Sequence, residues 1–296
     1  MRIFVTGASG WIGSAVTPAL LKAGHRVVGL ARSEASASAL VAAGAEACRG
    51  DLADLAVLAA AAKESDGVVH LGYHHDFSQM DEAARIDRDA ITALGTALEG
   101  TGRPLLIASG TLGLSTGRPA TERDEPDAGA HPRIASAHLA RSFADRGVRP
   151  VVVRFAPTVH GPRDHGFVAT LVSIARDKGV AGYLGDGANR WPAVHRLDAA
   201  DLVRRAVEDP AASPVVHAVA EEGVTARTIA EAIGRRFDLP VRPIAADRAV
   251  EHFGWMARFF GADAPASSAL TRQALGWEPV RVGLVEDLDT GAYDPA

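Results

Sequence analysis

The sequence predicts an α/β fold: a doubly wound parallel sheet followed by a smaller, mainly helical C-terminal domain. Short runs rich in β-branched residues alternate with alanine-rich stretches through the first half of the chain, which is typical of a parallel sheet covered on both faces by helices. After Phe155 this alternation fades and helical patterns dominate. At 296 residues, with 47% hydrophobic residues, the chain can bury a large core.

The alternation gives the predicted elements in chain order. Most of the predicted strands contain β-branched residues, and in the helix Glu82–Glu99 apolar residues recur at helical spacing. The strands are Arg2–Thr6, Arg26–Leu30, Ala45–Arg49, Gly67–Leu71, Leu105–Ser109, Val151–Phe155 and Val215–Ala218. The helices are Ile12–Ala23, Ala35–Ala43, Leu55–Glu64, Glu82–Glu99, Ala135–Arg146, Gly166–Lys178, Ala199–Glu208 and Thr225–Phe237. We expect domains at residues 1–156 and 157–296, and segments near 190–220 can return to the main sheet.

Composition excludes several classes of function. The net charge is −5 and the basic residues are scattered, which disfavours nucleic acid or an anionic membrane as a partner. Cys48 is the only cysteine, so an internal disulfide and a cysteine-based zinc site are excluded. The chain contains no apolar run of about 18 residues that could span a membrane. We expect a cytoplasmic protein, monomeric or homodimeric, with no metal site.

A glycine-rich segment directly follows the first predicted strand. In it, three glycines are spaced G-x-x-G-x-x-G and the next predicted helix begins. Glycines let the backbone approach a pyrophosphate, and the helix directs its positive dipole end and free N–H groups at it. The context predicts a dinucleotide-binding Rossmann domain. The residues expected to hold the pyrophosphate are Gly7, Ser9, Gly10, Trp11, Ile12 and Gly13.

The end of the second strand indicates which dinucleotide is preferred. A carboxylate there would bind the ribose 2′-hydroxyl of NAD, but this chain has Arg32 and Ser33. A guanidinium and a hydroxyl can bind a 2′-phosphate, so we expect NADPH, with NAD as the alternative cofactor and a solvated surface arginine as the alternative for Arg32. Asp51, after the third strand, either accepts from the adenine amino group or caps the next helix.

Several motifs together resemble the extended short-chain dehydrogenase/reductase family, also called the NAD-dependent epimerase/dehydratase type. The resemblance covers nearly the whole chain, and it is specific for the fold while being almost silent on substrate. Leu52 and Leu71, within two of the motifs, complete the expected cofactor-binding set. The motifs are Thr6 to Gly13, Gly50-Asp51-Leu52, Val68-Val69-His70-Leu71, Val153 to Pro162, Gly185-Asp186-Gly187, Val194-His195, Asp198 and Leu275 to Pro279.

The resemblance also implies a reaction centre, and here the chain departs from the pattern. The family uses Y-x-x-x-K with an upstream Ser or Thr that orients the substrate oxygen. Ser109 and Thr111 fit the hydroxyl role, unless they only make strand-end hydrogen bonds. Arg133 stands in the tyrosine position and Ala137 in the lysine position. An arginine stays protonated and cannot be a general acid, but Arg133 can stabilise an oxyanion or an anionic substrate, unless it caps the loop or faces water.

Other side chains are candidates for the missing proton donor. Tyr73 and His74 open the segment Tyr73-His74-His75-Asp76 after the fourth strand, at the sheet edge where ligands bind in open α/β folds. His160 stands where many relatives have a tyrosine, and water is the remaining alternative. His138 and His165 are weaker candidates.

Two further features belong to the predicted C-terminal domain. Arg190 and Trp191 follow a glycine turn where sugar-nucleotide relatives often place an arginine on a diphosphate, although a structural loop is the simpler interpretation. Four aromatic residues crowd into eight positions and favour either an apolar lid over a pocket, a subunit contact or core packing. They are Phe253, Trp255, Phe259 and Phe260.

The leading hypothesis is an atypical NADPH-dependent oxidoreductase acting on a small carbonyl or alcohol. Hydride would pass between the nicotinamide and the substrate carbon, and Ser109 or Thr111 would orient the oxygen. One alternative is a dinucleotide-binding regulatory or partner protein with little catalysis, which a missing Tyr–Lys pair favours. The other is an epimerase or dehydratase that retains its cofactor.

Overall fold

The computed structural model describes residues 1–74, 80–114, 117–129 and 131–294. Strands and helices make up most of this part of the chain. The strands are β1 (Arg2–Thr6), β2 (Arg26–Ala31), β3 (Glu46–Arg49), β4 (Gly67–His70), β5 (Pro104–Gly110), β6 (Arg149–Phe155), β7 (Thr158–His160), β8 (Ala181–Leu184), β9 (Arg190–His195), β10 (Val215–Ala218), β11 (Glu221–Thr225) and β12 (Val241–Ile244). The helices are α1 (Gly13–Lys22), α2 (Glu34–Ala42), α3 (Leu55–Lys63), α4 (Met80–Leu98), α5 (Pro132–Ser142), α6 (Phe167–Lys178), α7 (Arg196–Glu208), α8 (Ala226–Phe237), α9 (Ala249–Phe253), α10 (Ala257–Phe260), α11 (Ala269–Leu275) and α12 (Leu284–Asp289).

Seven parallel strands form the main sheet, in the spatial order β3-β2-β1-β4-β5-β6-β10. The order reverses between β1 and β4, which opens a crevice at the carboxyl ends of these strands, where ligands bind in folds of this kind. This sheet confirms the predicted doubly wound α/β fold. All seven of its strands were predicted, with ends that differ by two residues or fewer.

Two apolar cores cover the two faces of the main sheet. One face carries α1, α2 and α7, with Val16, Leu20 and Leu202 fully buried. The other carries α3, α4 and α5, with Leu94 and Phe143 buried among the strand side chains. Since both faces are covered, the inner strands are mainly apolar and do not alternate, whereas the edge strand β3 has exposed ends.

The C-terminal region contains helices α6 and α8 to α12 and two small sheets. Strands β11, β9 and β7 form one of these sheets, and β12 and β8 form the other. The sequence predicted the longer helices but none of these five short strands. A third apolar core, around Trp191, Met256 and Phe260, holds the region together. Within the residues described above, no helix is both long and apolar enough to cross a membrane.

Candidate functional site

The glycine-rich segment forms a tight turn between β1 and α1. Gly7 has φ of +66°, and a Cβ built on it would lie 2.7 Å from the backbone nitrogen of Gly72. A Cβ on Gly13 would lie 2.0 Å from the Gly7 carbonyl oxygen, so neither position admits a side chain. The Gly10 N–H donates to the same carbonyl at 2.9 Å. The turn therefore requires glycine at both positions, and it places the start of α1 at the carboxyl end of β1, the arrangement expected of a pyrophosphate cradle.

Arg32 and Ser33 lie where the sequence placed them, at the end of β2. The Ser33 hydroxyl accepts from the Ser36 N–H at 3.2 Å and caps α2, while the Ser36 hydroxyl accepts from the Ser33 N–H at 3.0 Å. The Arg32 side chain is exposed and forms no ion pair with any residue that the structure describes. Arg32 is thus available to a 2′-phosphate, whereas the Ser33 hydroxyl already serves the helix.

Asp51 lies in the turn after β3 and does not cap the following helix. Its Oδ1 accepts from the Ala53 N–H at 3.1 Å, and the N-cap position of α3 is Asp54. The capping alternative is therefore wrong, because α3 begins three residues too late for it. His74 Nε2 lies 3.8 Å from Asp51 Oδ1, so the segment after β4 reaches the expected adenine side. The neighbouring Leu52 is buried, and Leu71, directly after β4, is half-buried.

Arg133 points into the protein and not into solvent. Its Nη2 donates to the Ala108 carbonyl at 2.6 Å, and its Nη1 donates to Asp87 Oδ1 at 3.3 Å. Its guanidinium carbon lies 4.3 Å from the centre of the Tyr73 ring. The alternatives that Arg133 caps the loop or faces water are wrong, because β5, α4 and the segment after β4 all contact it.

Asp87 is the centre of a buried polar network beneath this arginine. It is 2% exposed and receives hydrogen bonds from Ser136 Oγ at 2.5 Å and His70 Nε2 at 3.2 Å, in addition to Arg133. Because a carboxylate only accepts, His70 carries its proton on Nε2, and its Nδ1 lies 2.7 Å from the Thr6 hydroxyl. The network therefore links α4 and α5 to the neighbouring strands β1 and β4.

Opposing effects act on the Asp87 carboxyl. Burial raises its pKa, but the hydrogen bond from His70 and the charge of Arg133 outweigh burial, and the pKa lies below its usual range. Asp87 is consequently a carboxylate at neutral pH and pairs with the Arg133 guanidinium. The sequence analysis missed this residue. The available signal was a carboxylate on the apolar face of α4, four residues from both Ala83 and Ile91.

Tyr73 lies directly against the arginine. Burial raises the pKa of its phenol, and the Arg133 charge opposes this shift. His74, the next residue, has a buried Nε2 without a hydrogen-bond partner in the described ranges. His75 and Asp76, which belong to the same sequence motif, lie outside the described residues.

Ser109 and Thr111 occupy the carboxyl end of β5. Both side chains are buried, and the Thr111 N–H donates to the Phe155 carbonyl at 2.9 Å. The Thr111 hydroxyl oxygen has no hydrogen-bond partner among residues 1–74, 80–114, 117–129 and 131–294. Since Arg133 bonds to Ala108, the structure brings both hydroxyls to the same strand end as Arg133 and Tyr73.

The remaining candidates lie in the C-terminal region. His160 is fully buried in β7, and its Nδ1 donates to Asp287 Oδ2 at 2.5 Å. Arg190 forms an ion pair with Asp263 at 2.9 Å. Both contacts lie within the C-terminal region and do not involve the carboxyl end of β5. No cluster of three or more potential metal ligands occurs in the described part of the chain.

The aromatic cluster combines core packing with an exposed edge. Phe253 and Phe260 are buried and pack on each other, and Phe260 also packs on Trp191. Trp255 is 47% exposed and contacts Phe167. Core packing, one of the interpretations offered by the sequence, thus describes the buried pair.

The comparison with protein families places this site in a known context. Residues 3–220 match the model described as the NAD dependent epimerase/dehydratase family. The match runs from β1 through β10 and so includes every strand of the main sheet. The protein belongs to the NAD dependent epimerase/dehydratase family, and it has the nicotinamide-dinucleotide-binding fold of that family.

Two yeast proteins are similar over their whole length. The chain is 47% identical to the uncharacterized protein C2A9.02 of Schizosaccharomyces pombe, covering 99% of this chain and 100% of that protein. It is 43% identical to the uncharacterized protein YLL056C of Saccharomyces cerevisiae, covering 97% of this chain and 98% of that protein.

Solved structures of similar shape include proteins in complex with nucleotide sugars. MoeE5, in complex with UDP-glucuronic acid and NAD, superposes with a TM-score of 0.76 at 24% identity, covering 98% of this chain and 97% of that chain. UDP-glucose 4-epimerase of Thermotoga maritima superposes with a TM-score of 0.77 at 19% identity, covering 99% and 98% of the two chains. At these identities the similarity shows the fold.

Proposed function

We propose that the protein is an NADPH-dependent oxidoreductase that acts on a small carbonyl or alcohol and uses Tyr73, beside Arg133, as its proton donor. The observation that carries this proposal is the packing of the Tyr73 ring 4.3 Å from the Arg133 guanidinium carbon. The sequence left the proton donor open among Tyr73, His74, His160 and water. Of these side chains, Tyr73 is the one that contacts the position aligned with the family's tyrosine.

The protein's own residues divide the work of carbonyl reduction. The reduced nicotinamide, when bound, supplies a hydride to the carbonyl carbon. The Tyr73 phenol donates its proton to the oxygen on which negative charge develops, and Ser109 or Thr111 holds that oxygen by a hydrogen bond. The fixed charge of Arg133 stabilises the developing oxyanion and the phenolate that remains. No proton leaves Arg133 itself.

Arg133 can serve in this way because its position is fixed before substrate binds. Asp87 and the Ala108 carbonyl hold two of its nitrogens. A charge that is already oriented loses little free energy to reorganisation when the oxyanion forms. In this proposal, Arg133 replaces the family's lysine in function while Tyr73 replaces its tyrosine.

A matched pair of variants tests the proton donor. Tyr73→Phe should lower kcat about 100-fold or more, the ordinary contribution of a general acid, without changing NADPH affinity. Tyr183→Phe is the control. The guanidinium carbon of Arg227 lies 5.1 Å from the centre of the Tyr183 ring, but Tyr183 belongs to β8 in the C-terminal region. Turnover is followed as loss of nicotinamide absorbance with a panel of aldehydes and ketones. Full activity of Tyr73→Phe together with a loss in His74→Ala would transfer the role to His74.

Family membership favours a second candidate, an epimerase or dehydratase that retains its cofactor. Such an enzyme would copurify with dinucleotide and convert nucleotide sugars without a net change of nicotinamide absorbance. The oxidoreductase would instead bind NADPH reversibly and oxidise it when carbonyl is added. Reversible binding without oxidation across the panel would favour a dinucleotide-binding partner protein.

A further inference from the structure

Trp11 is held at the outer end of the glycine-rich turn. Its indole Nε1 donates to the Val159 carbonyl of β7 at 2.7 Å, and the edge of the His165 ring meets it with centroids 5.3 Å apart. The glycine turn and the C-terminal region therefore meet at this side chain. Its ring forms a fixed surface beside the pyrophosphate cradle.

Arg196 lies on that surface. Its guanidinium carbon is 4.3 Å from the centre of the Trp11 ring, a cation–π contact. Gly161 leaves room for the arginine stem, because a Cβ there would lie 3.2 Å from Arg196 Cγ. Arg196 is the first residue of α7, directly after β9, so its backbone is fixed at the junction of two elements. The contacts direct its charge toward the glycine turn.

A second arginine lies near Arg196. Burial and the charge of Arg163 both lower the pKa of the Arg196 guanidinium. Arg163 has φ of +67°, in the left-handed region that arginine rarely adopts. Neither side chain forms an ion pair with a carboxylate in the described part of the molecule. Two like charges thus lie close together in a chain whose net charge is −5.

The nearby carboxyl group of Asp164 can balance one of these two charges at most. Asp164 accepts from the Gly166 N–H at 2.7 Å and from the Tyr293 hydroxyl at 2.9 Å, and burial raises the pKa of its carboxyl. The Asp164 charge opposes the lowering of the Arg196 pKa, but burial and the Arg163 charge outweigh it. One carboxylate beside two guanidinium groups leaves a surplus of positive charge. Repulsion between them disfavours this arrangement unless an anion binds there.

We propose that Arg196, supported by Trp11 and joined by Arg163, binds the diphosphate of the bound dinucleotide on the side facing the glycine turn. A guanidinium can contact two phosphate oxygens at once. The glycine turn supplies backbone N–H groups and the arginine pair supplies the charge. This role concerns cofactor binding alone and does not depend on the proton donor proposed above.

Three ligands distinguish this contact from other contacts of the cofactor. NADPH and ADP-ribose both contain the diphosphate, whereas adenosine 2′-monophosphate lacks it and keeps the adenine and the 2′-phosphate. Affinities are measured by calorimetric titration of the purified protein. Arg196→Gln should weaken NADPH and ADP-ribose about tenfold, the effect of losing one charge-assisted hydrogen bond. The affinity for adenosine 2′-monophosphate should change less than about twofold.

Two further variants complete the test. Arg227→Gln is the matched control, since it also removes an arginine stacked on an aromatic ring, Tyr183, away from the glycine turn, and it should leave all three affinities unchanged. Arg196→Lys keeps the charge without the planar fork, and it should recover part of the lost affinity. It also provides the measurement if Arg196→Gln does not fold.

Specific results would overturn the inference. Binding of NADPH and ADP-ribose by Arg196→Gln within about twofold of wild type would show that Arg196 does not hold the diphosphate. An equal loss for adenosine 2′-monophosphate would show a general disturbance of the site. The wild-type protein could bind NADPH with these properties and yet fail to oxidise it with any aldehyde or ketone of the panel. In that case the proposed oxidoreductase function fails while the diphosphate contact stands.

Discussion

The Asp87 carboxylate lies 3.3 Å from the Arg133 guanidinium, and this pair joins the middle of α4 to the first turn of α5. The pair is buried on the Asp87 side and largely buried on the Arg133 side. Removing one member of such a pair leaves the other charge without compensation in a poorly solvated place. The proposed reaction centre and the stability of the fold are therefore linked through Asp87.

Asp87→Asn should lower the free energy of unfolding by about 3 kcal/mol, because the Arg133 charge loses its partner and His70 loses a charged acceptor. Turnover should fall as well, since Arg133 is no longer held against Tyr73. Urea denaturation gives the stability and steady-state kinetics the activity. Asp89→Asn is the control, because Asp89 is exposed on the same helix and pairs with Arg85 at the surface, a contact worth less than about 1 kcal/mol. Equal stability losses in both variants would contradict the central role given to Asp87.

The pH dependence of reduction should separate a tyrosine donor from a histidine donor. Burial raises the Tyr73 pKa above its ordinary value of about 10, so the phenol keeps its proton through neutral and mildly alkaline pH. We expect kcat/KM for carbonyl reduction to stay level from about pH 7 to 9. An ordinary imidazole donor loses its proton near pH 6.5, and a profile that declines through neutral pH would assign the proton to a histidine.

Arg32→Ala should weaken NADPH binding about tenfold and leave NADH binding nearly unchanged. The proposed partner of the exposed Arg32 side chain is the 2′-phosphate, which NADPH contains and NADH lacks. A hydrogen bond between charged groups contributes roughly 1.5–3 kcal/mol. Fluorescence titration with both cofactors measures the effect. Ser33→Ala is a useful comparison, because its hydroxyl caps α2 and its loss should affect stability more than affinity. Preference of the wild-type protein for NADH would remove the assignment to Arg32.

His217 should make the fold less stable in mild acid. Burial lowers the pKa of His217 to about 4, whereas an unfolded histidine titrates near 6.5. Between these values the unfolded chain binds more protons, so stability falls as the pH drops from about 6.5 toward 4, by roughly 3 kcal/mol in total. Unfolding in urea at several pH values measures this loss, and His217→Gln should reduce it. His165→Gln, at an exposed position, should follow the wild type, and a His217→Gln curve that also follows it would exclude His217 as the cause.

The main sheet and the glycine turn were predictable because their signals are local. The glycine spacing, the apolar strands and the helical periodicity each lie within about 20 residues of sequence. The small sheets were not predictable in this way. Strand β7 has three residues, β9 contains Pro192, and the pairing of β11 with β9 shifts register between Glu221 and Val224. Sequence patterns as short and irregular as these cannot be distinguished from the sequences of loops.

The partners of Arg133 could not be read from the sequence alone. Asp87 is 46 residues away from Arg133 and Ala108 is 25 away. These residues meet because β4 and β5 are neighbours in the sheet and α4 packs against α5. The sequence identified the unusual arginine, and the order of the strands determined which side chains surround it.

The position of β10 has a consequence for how the molecule can be divided. After the small sheet that contains β9, the chain returns through α7 to the main sheet, where β10 pairs with β6 and Val215 lies opposite Val152. A fragment that ended at residue 156 would lack this outer strand and leave the hydrogen-bonding groups of β6 open to other chains. The two halves of the protein are consequently interlaced, and neither can be expected to survive excision as an independent folding unit.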